Sequence, residues 1–125
     1  MTPVLLVEIA SALVALVALA YLVVYLVRTR GGQRGGRDGV PGHVRASAVL
    51  CVTSAVHGAA AMAYGSGASP SAYVLGWAAL VAFLASGACM LAPVRARLSR
   101  PVGWRVGFFL VGVALVAAHA VAGRL

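Results

Sequence analysis

The chain has 125 residues, of which 62% are hydrophobic and only 10% are charged, and its mean hydropathy is +1.00. Soluble globular domains carry about 25% charged residues, so this composition excludes an ordinary water-soluble domain. The net charge of +8 would suggest nucleic acid as the partner of a soluble protein. Here, however, nine of the ten basic residues lie in or beside the connectors between apolar segments, as in membrane proteins. We therefore expect the lipid bilayer as the partner, and no nucleic acid.

Four apolar segments follow one another along the chain, each close to the ~20 residues that a bilayer-spanning helix needs. The first covers residues 3–27, and the stretch 28–42 after it is rich in Gly and Arg without apolar periodicity, which predicts a loop. The second segment covers 43–64. It leads through an uncharged connector, 65–71, into the third segment, 72–92.

The second basic connector, 93–101, begins with Pro93, which we expect to end or kink the preceding helix. The fourth apolar segment covers 102–122 and is followed by Arg124. The predicted fold class is therefore all-α. We expect an integral membrane four-helix bundle with up-down-up-down topology, forming one membrane domain over residues 1–125.

The distribution of arginine predicts the orientation of these helices. Loops 28–42 and 93–101 are basic, whereas loop 65–71 has no charge. Lys and Arg collect in the cytoplasmic loops of membrane proteins. We therefore expect a multi-pass protein of the inner membrane, with both basic loops in the cytoplasm and both termini outside.

Small side chains are frequent in the apolar segments and indicate how the helices associate. Lipid does not drive apolar helices together, so they associate through close packing, which small residues permit. This pattern predicts packing within the bundle, or alternatively contact with a second copy of the chain or another membrane protein. Gly103 and Gly107 form a GxxxG pair, and the small residues of the third segment include Gly76, Ala78, Ala79, Ala82, Ala85, Ser86, Gly87 and Ala88.

Three residues with a charged or imidazole side chain lie deep in the predicted spans and are functional candidates, since such residues are costly in a membrane. At 1.5 Å per residue, Glu8 and His119 lie ~7 Å and His57 ~10 Å from the outer ends of their segments. The predicted topology thus places all three in one layer. His43 lies near the opposite surface, where we interpret it as an interfacial residue.

The shared layer predicts a cofactor site between the second and fourth helices. Neutral imidazole is a common metal ligand, and haem iron accepts axial His. We expect His57 and His119 to bind haem b or a transition metal, with Glu8 as a third metal ligand or a proton-carrying group. Gly112 lies seven residues before His119, on the same helix face, and would leave room for a macrocycle. The predicted function is a small b-type cytochrome or metal-binding redox subunit.

Other functions stay open, and no catalytic residue is identified. The chain has one Glu and one Asp, which the predicted topology places on opposite sides of the membrane, so paired-carboxylate hydrolysis is excluded. Whether the chain is an enzyme is left undecided. The alternatives are a non-catalytic anchor or assembly subunit and a small oligomeric transporter that uses Glu8 and the histidines.

Overall fold

A computed structural model describes residues 2–29, 42–65 and 67–124. Of these residues, 86% are α-helical and none belongs to a strand. Four of the helices are long and apolar enough to cross a membrane, so the predicted all-α class with four apolar helices is confirmed. The helices are α1 (Pro3–Thr29), α2 (Gly42–Tyr64), α3 (Pro70–Ala88), α4 (Ala92–Arg95) and α5 (Pro101–Ala122).

The helix ends differ most from the predicted segments in α3, which begins at Pro70 and ends at Ala88. Its start is fixed by Ser69, whose side chain accepts a hydrogen bond from the Ala72 N–H, and by Pro70 in the first turn. Residues 30–41 of the predicted loop 28–42 lie outside the described residues. Of the rest, Arg28 and Thr29 belong to α1 and Gly42 begins α2.

The chain divides into two compact units, residues 1–60 and 61–125. In the first unit, which we call unit 1, α1 and α2 run antiparallel. The Tyr25 and His43 rings stack at one end of this pair, with centroids 4.5 Å apart. At the other end, the imidazole of His57 contacts the backbone of Glu8. The start of α1 therefore lies beside the end of α2.

In the second unit, unit 2, α3 and α5 pack antiparallel along most of their length. The Phe83 and Phe109 rings meet with centroids 5.8 Å apart, and the Ser86 hydroxyl donates to the Arg105 carbonyl at 2.8 Å. Four of the six buried residues of α3 are small, which lets the two backbones approach closely. The buried residues are Ala72, Ala79, Leu80, Ala82, Phe83 and Ser86.

Large apolar side chains cover the outer surface of the long helices. Among the most exposed are Val17 (72%), Val27 (71%) and Val74 (66%). A water-soluble protein rarely exposes apolar surface on this scale. The exposed valines and leucines are as expected of helices that cross a membrane, where lipid tails are the solvent.

Candidate functional site

His57 connects α2 to α1 through a backbone carbonyl. Its Nδ1 lies 3.0 Å from the carbonyl oxygen of Glu8. A carbonyl oxygen only accepts hydrogen bonds, so Nδ1 must be the protonated donor. In the neutral imidazole the lone pair then belongs to Nε2, the nitrogen that accepts a hydrogen bond or coordinates a metal.

His119 makes the same kind of contact in unit 2. Its Nδ1 lies 2.7 Å from the carbonyl oxygen of Ala72 in α3, so here too Nδ1 is the donor. Gly76 makes this approach possible. A Cβ at that position would lie 3.1 Å from Nδ1 and 3.2 Å from Cε1 of the ring. Gly76, which the sequence suggested as a helix-packing residue, therefore leaves room for the His119 ring.

The two units thus share one arrangement. In each, a histidine near the end of one long helix (α2 or α5) donates its Nδ1–H to a carbonyl near the start of the partner helix (α1 or α3). His57 lies seven residues before the end of α2, or ~10 Å along the helix, and His119 three residues before the end of α5, or ~5 Å. The histidines belong to different units. The predicted pairing of His57 with His119 across one cofactor stays a prediction.

Glu8 is the acidic residue of α1, and its backbone and side chain have different surroundings. Its carbonyl oxygen accepts hydrogen bonds from His57 and from the hydroxyl of Ser11, at 3.0 and 3.1 Å. The side chain is half-buried, and its Oε2 atom is buried with no described residue donating to it. A buried carboxyl oxygen without a partner is unfavourable. A bound proton would remove the negative charge, and a bound cation would supply a partner.

Gly112 packs against an aromatic ring of α3. A Cβ on Gly112 would lie 2.5 Å from Cε1 and 2.7 Å from Cδ1 of Phe83. The space that we expected a macrocycle to use is therefore filled by Phe83. Among the described residues, no group of three or more His, Cys, Asp and Glu side chains comes together as a metal-binding cluster.

Tyr25 and His43 are in contact at the opposite end of unit 1, a pairing that the sequence did not predict. His43 stacks on Tyr25, so the residue that we interpreted as interfacial also packs on α1. The Tyr25 hydroxyl is buried, and no described residue forms a hydrogen bond with it. A tyrosine near the end of an apolar segment is a usual interfacial residue, so the sequence pattern gave no reason to expect its hydroxyl to be buried.

The tautomer assignment predicts a nuclear magnetic resonance result. We expect ¹⁵N spectra of ring-labelled protein in micelles to show Nδ1–H for both His57 and His119 at neutral pH. Gly76→Ala should disturb the His119 signals alone and cost about 0.5–1.5 kcal/mol if the hydrogen bond to Ala72 is lost. Gly87→Ala is the matched control, because a Cβ there meets nothing within 4 Å. An Nε2–H tautomer at either residue would contradict the assignment.

Comparison of the chain with protein-family models, curated proteins and solved structures finds no match.

Proposed function

We propose that this chain is a small ion-coupled component of membrane transport in which Glu8 binds and releases a proton. The observation that supports the proposal is the buried Oε2 of Glu8, which receives no hydrogen bond from the described residues. Ionisable residues within membrane helices are rare and typically belong to ion pathways or proton relays. Glu8 is the one acidic residue within the four long helices.

His57 is assigned a positioning role in this proposal. Its hydrogen bond holds the carbonyl of Glu8 and thereby fixes α2 beside the turn of α1 that presents the carboxyl group. The Ser11 hydroxyl bonds the carbonyls of Val7 and Glu8 within the same turn. A fixed backbone keeps the carboxyl at one depth, and a relay needs such a fixed position to exchange protons with one side of the membrane.

The proposal includes an orientation, which rests on the arginine distribution, and an assembly. With both basic connectors in the cytoplasm, the termini face outward and Glu8 lies in the outer half of the inner membrane. A single carboxyl does not line a complete pathway across a bilayer. We therefore propose that the chain acts with further copies of itself or with another membrane protein.

The proposal is tested by proton flux into liposomes loaded with a pH-sensitive dye. Reconstituted wild-type protein should accelerate the decay of an imposed pH gradient, whereas Glu8→Gln should not. Equal rates for the two proteins would remove Glu8 from the function.

A redox subunit that binds haem or a metal through His57 and His119 is the second candidate. It is favoured by the two Nδ1–H donors, because metal-ligating histidines usually bond a carbonyl or carboxylate through the other ring nitrogen. The macrocycle space expected at Gly112 is occupied by Phe83, so the fit at that residue is poor. A bound haem would supply one-electron transfer, and His57 and His119 are the residues that would hold it.

A visible absorption spectrum tests the second candidate directly. If haem is bound, purified protein should show a Soret band, and His57→Ala and His119→Ala should each remove it. His43→Ala is the matched control, because it removes an imidazole at the other end of α2. A colourless, metal-free preparation from haem-supplemented cells would exclude the redox function.

A further inference from the structure

The connector between α3 and α5 places three arginines on the surface of unit 2. Arg95, Arg97 and Arg100 are all exposed. The segment that holds them is folded, because the Arg95 N–H bonds the Leu91 carbonyl at 2.8 Å and the Arg97 N–H bonds the Val94 carbonyl at 3.0 Å. We call these three residues the arginine connector. All three lie in the short stretch 95–100, so their charges are close together in the chain.

The charge of the arginine connector has no counterpart within its own unit. Residues 61–125 contain no Asp or Glu, so no acidic side chain of unit 2 can neutralise these guanidinium groups. Arg is well suited to phosphate, because its planar fork donates two parallel hydrogen bonds. The chemistry of the connector therefore points to a phosphate-bearing ligand.

Apolar and aromatic side chains flank the arginines. Leu91 is 59% and Trp104 is 52% exposed, and Trp104 lies against Phe108 with ring centroids 5.9 Å apart. Tryptophan prefers the headgroup layer, where one part of its ring is apolar and another is hydrated. Inorganic phosphate has no apolar part to contact these side chains, whereas a phospholipid offers a phosphate beside acyl chains.

We propose that the arginine connector, together with Trp104, binds the headgroups of anionic phospholipids and enriches them around the start of α5. Each Arg near an anionic bilayer surface is attracted to it, and the attraction falls as salt screens the charges. The ligand class is a phospholipid with net negative charge, such as phosphatidylglycerol, within the surrounding bilayer.

Quenching of Trp104 fluorescence by brominated lipids tests this proposal. The full chain with Trp77→Phe, which leaves Trp104 as its single tryptophan, is reconstituted into phosphatidylcholine bilayers. Brominated phosphatidylglycerol and brominated phosphatidylcholine are then titrated in separate samples. We expect phosphatidylglycerol to quench Trp104 at roughly threefold to tenfold lower mole fraction, from attraction to three arginines. Arg95→Gln/Arg97→Gln/Arg100→Gln should remove the preference, and Arg124→Gln, at the other end of α5, should not.

Further conditions distinguish binding of anionic lipid from unfolding of the triple variant and from binding of free phosphate. Added sodium chloride should reduce the preference in the protein with native arginines, a readout that does not depend on the folding of the triple variant. Equal quenching by both lipids, or a preference that persists in a folded triple variant, would overturn the proposal. If inorganic phosphate removes the preference far more strongly than chloride of equal ionic strength, the site binds free phosphate, and the lipid proposal is wrong.

Discussion

Glu8→Gln is expected to reduce proton flux through reconstituted protein to the level of empty liposomes. Gln keeps the size and polarity of the side chain but cannot take up and release a proton in the physiological range. The helix should be retained, because Gln and Glu have similar helix propensities. The rate is measured from the decay of a pH gradient, with a potassium gradient and ionophore holding the membrane potential constant.

Two further variants make the flux experiment specific to the proposed site. Asp38→Asn removes the other acidic side chain of the chain and should leave the flux unchanged. His57→Ala removes the hydrogen bond to the Glu8 carbonyl and should lower the flux without abolishing it, because the carboxyl is retained. Wild-type flux in Glu8→Gln, or loss of flux in Asp38→Asn alone, would contradict the assignment of Glu8.

Gly112→Ala is expected to destabilise the pairing of α3 with α5 by about 1–3 kcal/mol, the usual cost of overpacking a core. The added Cβ would lie 2.5 Å from Cε1 of Phe83, whose side chain is only 5% exposed and so has little room to move. The cost should exceed the small gain in helix propensity from Gly to Ala. Reversible unfolding in mixed micelles, followed by circular dichroism, measures the change.

Gly107→Ala is the matched control for this prediction, since a Cβ at Gly107 meets nothing within 4 Å. It should be neutral or stabilise the protein by up to about 1 kcal/mol through helix propensity. Phe83→Leu combined with Gly112→Ala should recover part of the loss, because the smaller side chain leaves room for the methyl group. Equal stabilities for Gly112→Ala and Gly107→Ala would show that the ring does not fill the Gly112 position.

The four long helices were predictable because a helix needs ~20 mostly apolar residues to cross a bilayer, and hydropathy identifies such segments directly. The end of α3 was less predictable. Proline lacks an N–H and clashes with the carbonyl four residues earlier, so Pro93 disrupts the helix back to Cys89. α3 accordingly ends at Ala88, and Pro93 lies in the first turn of α4, where it is tolerated.

The polar residues were identifiable from the sequence, but their partners were not. Helical periodicity places His119 on a face of its helix without saying which carbonyl of α3 lies opposite, because that depends on the relative shift of two helices. The roles of Gly76 and Gly112 depend on the same shift. Gly76 leaves room for the His119 imidazole, and Gly112 leaves room for the Phe83 ring. A glycine in an apolar segment indicates that another group packs closely against that helix. Only the structure shows which group it is.

Infrared difference spectroscopy of the carboxyl group is the most direct test that Glu8 binds a proton in the membrane. The chain has two acidic side chains, so a protonated-carboxyl band is assignable by comparing wild type, Glu8→Gln and Asp38→Asn in the same lipid. We predict a carboxyl band that appears and disappears reversibly with pH in wild type and Asp38→Asn and is absent from Glu8→Gln. A band that is unchanged in Glu8→Gln, or no pH-dependent band at all, would contradict the proposed function.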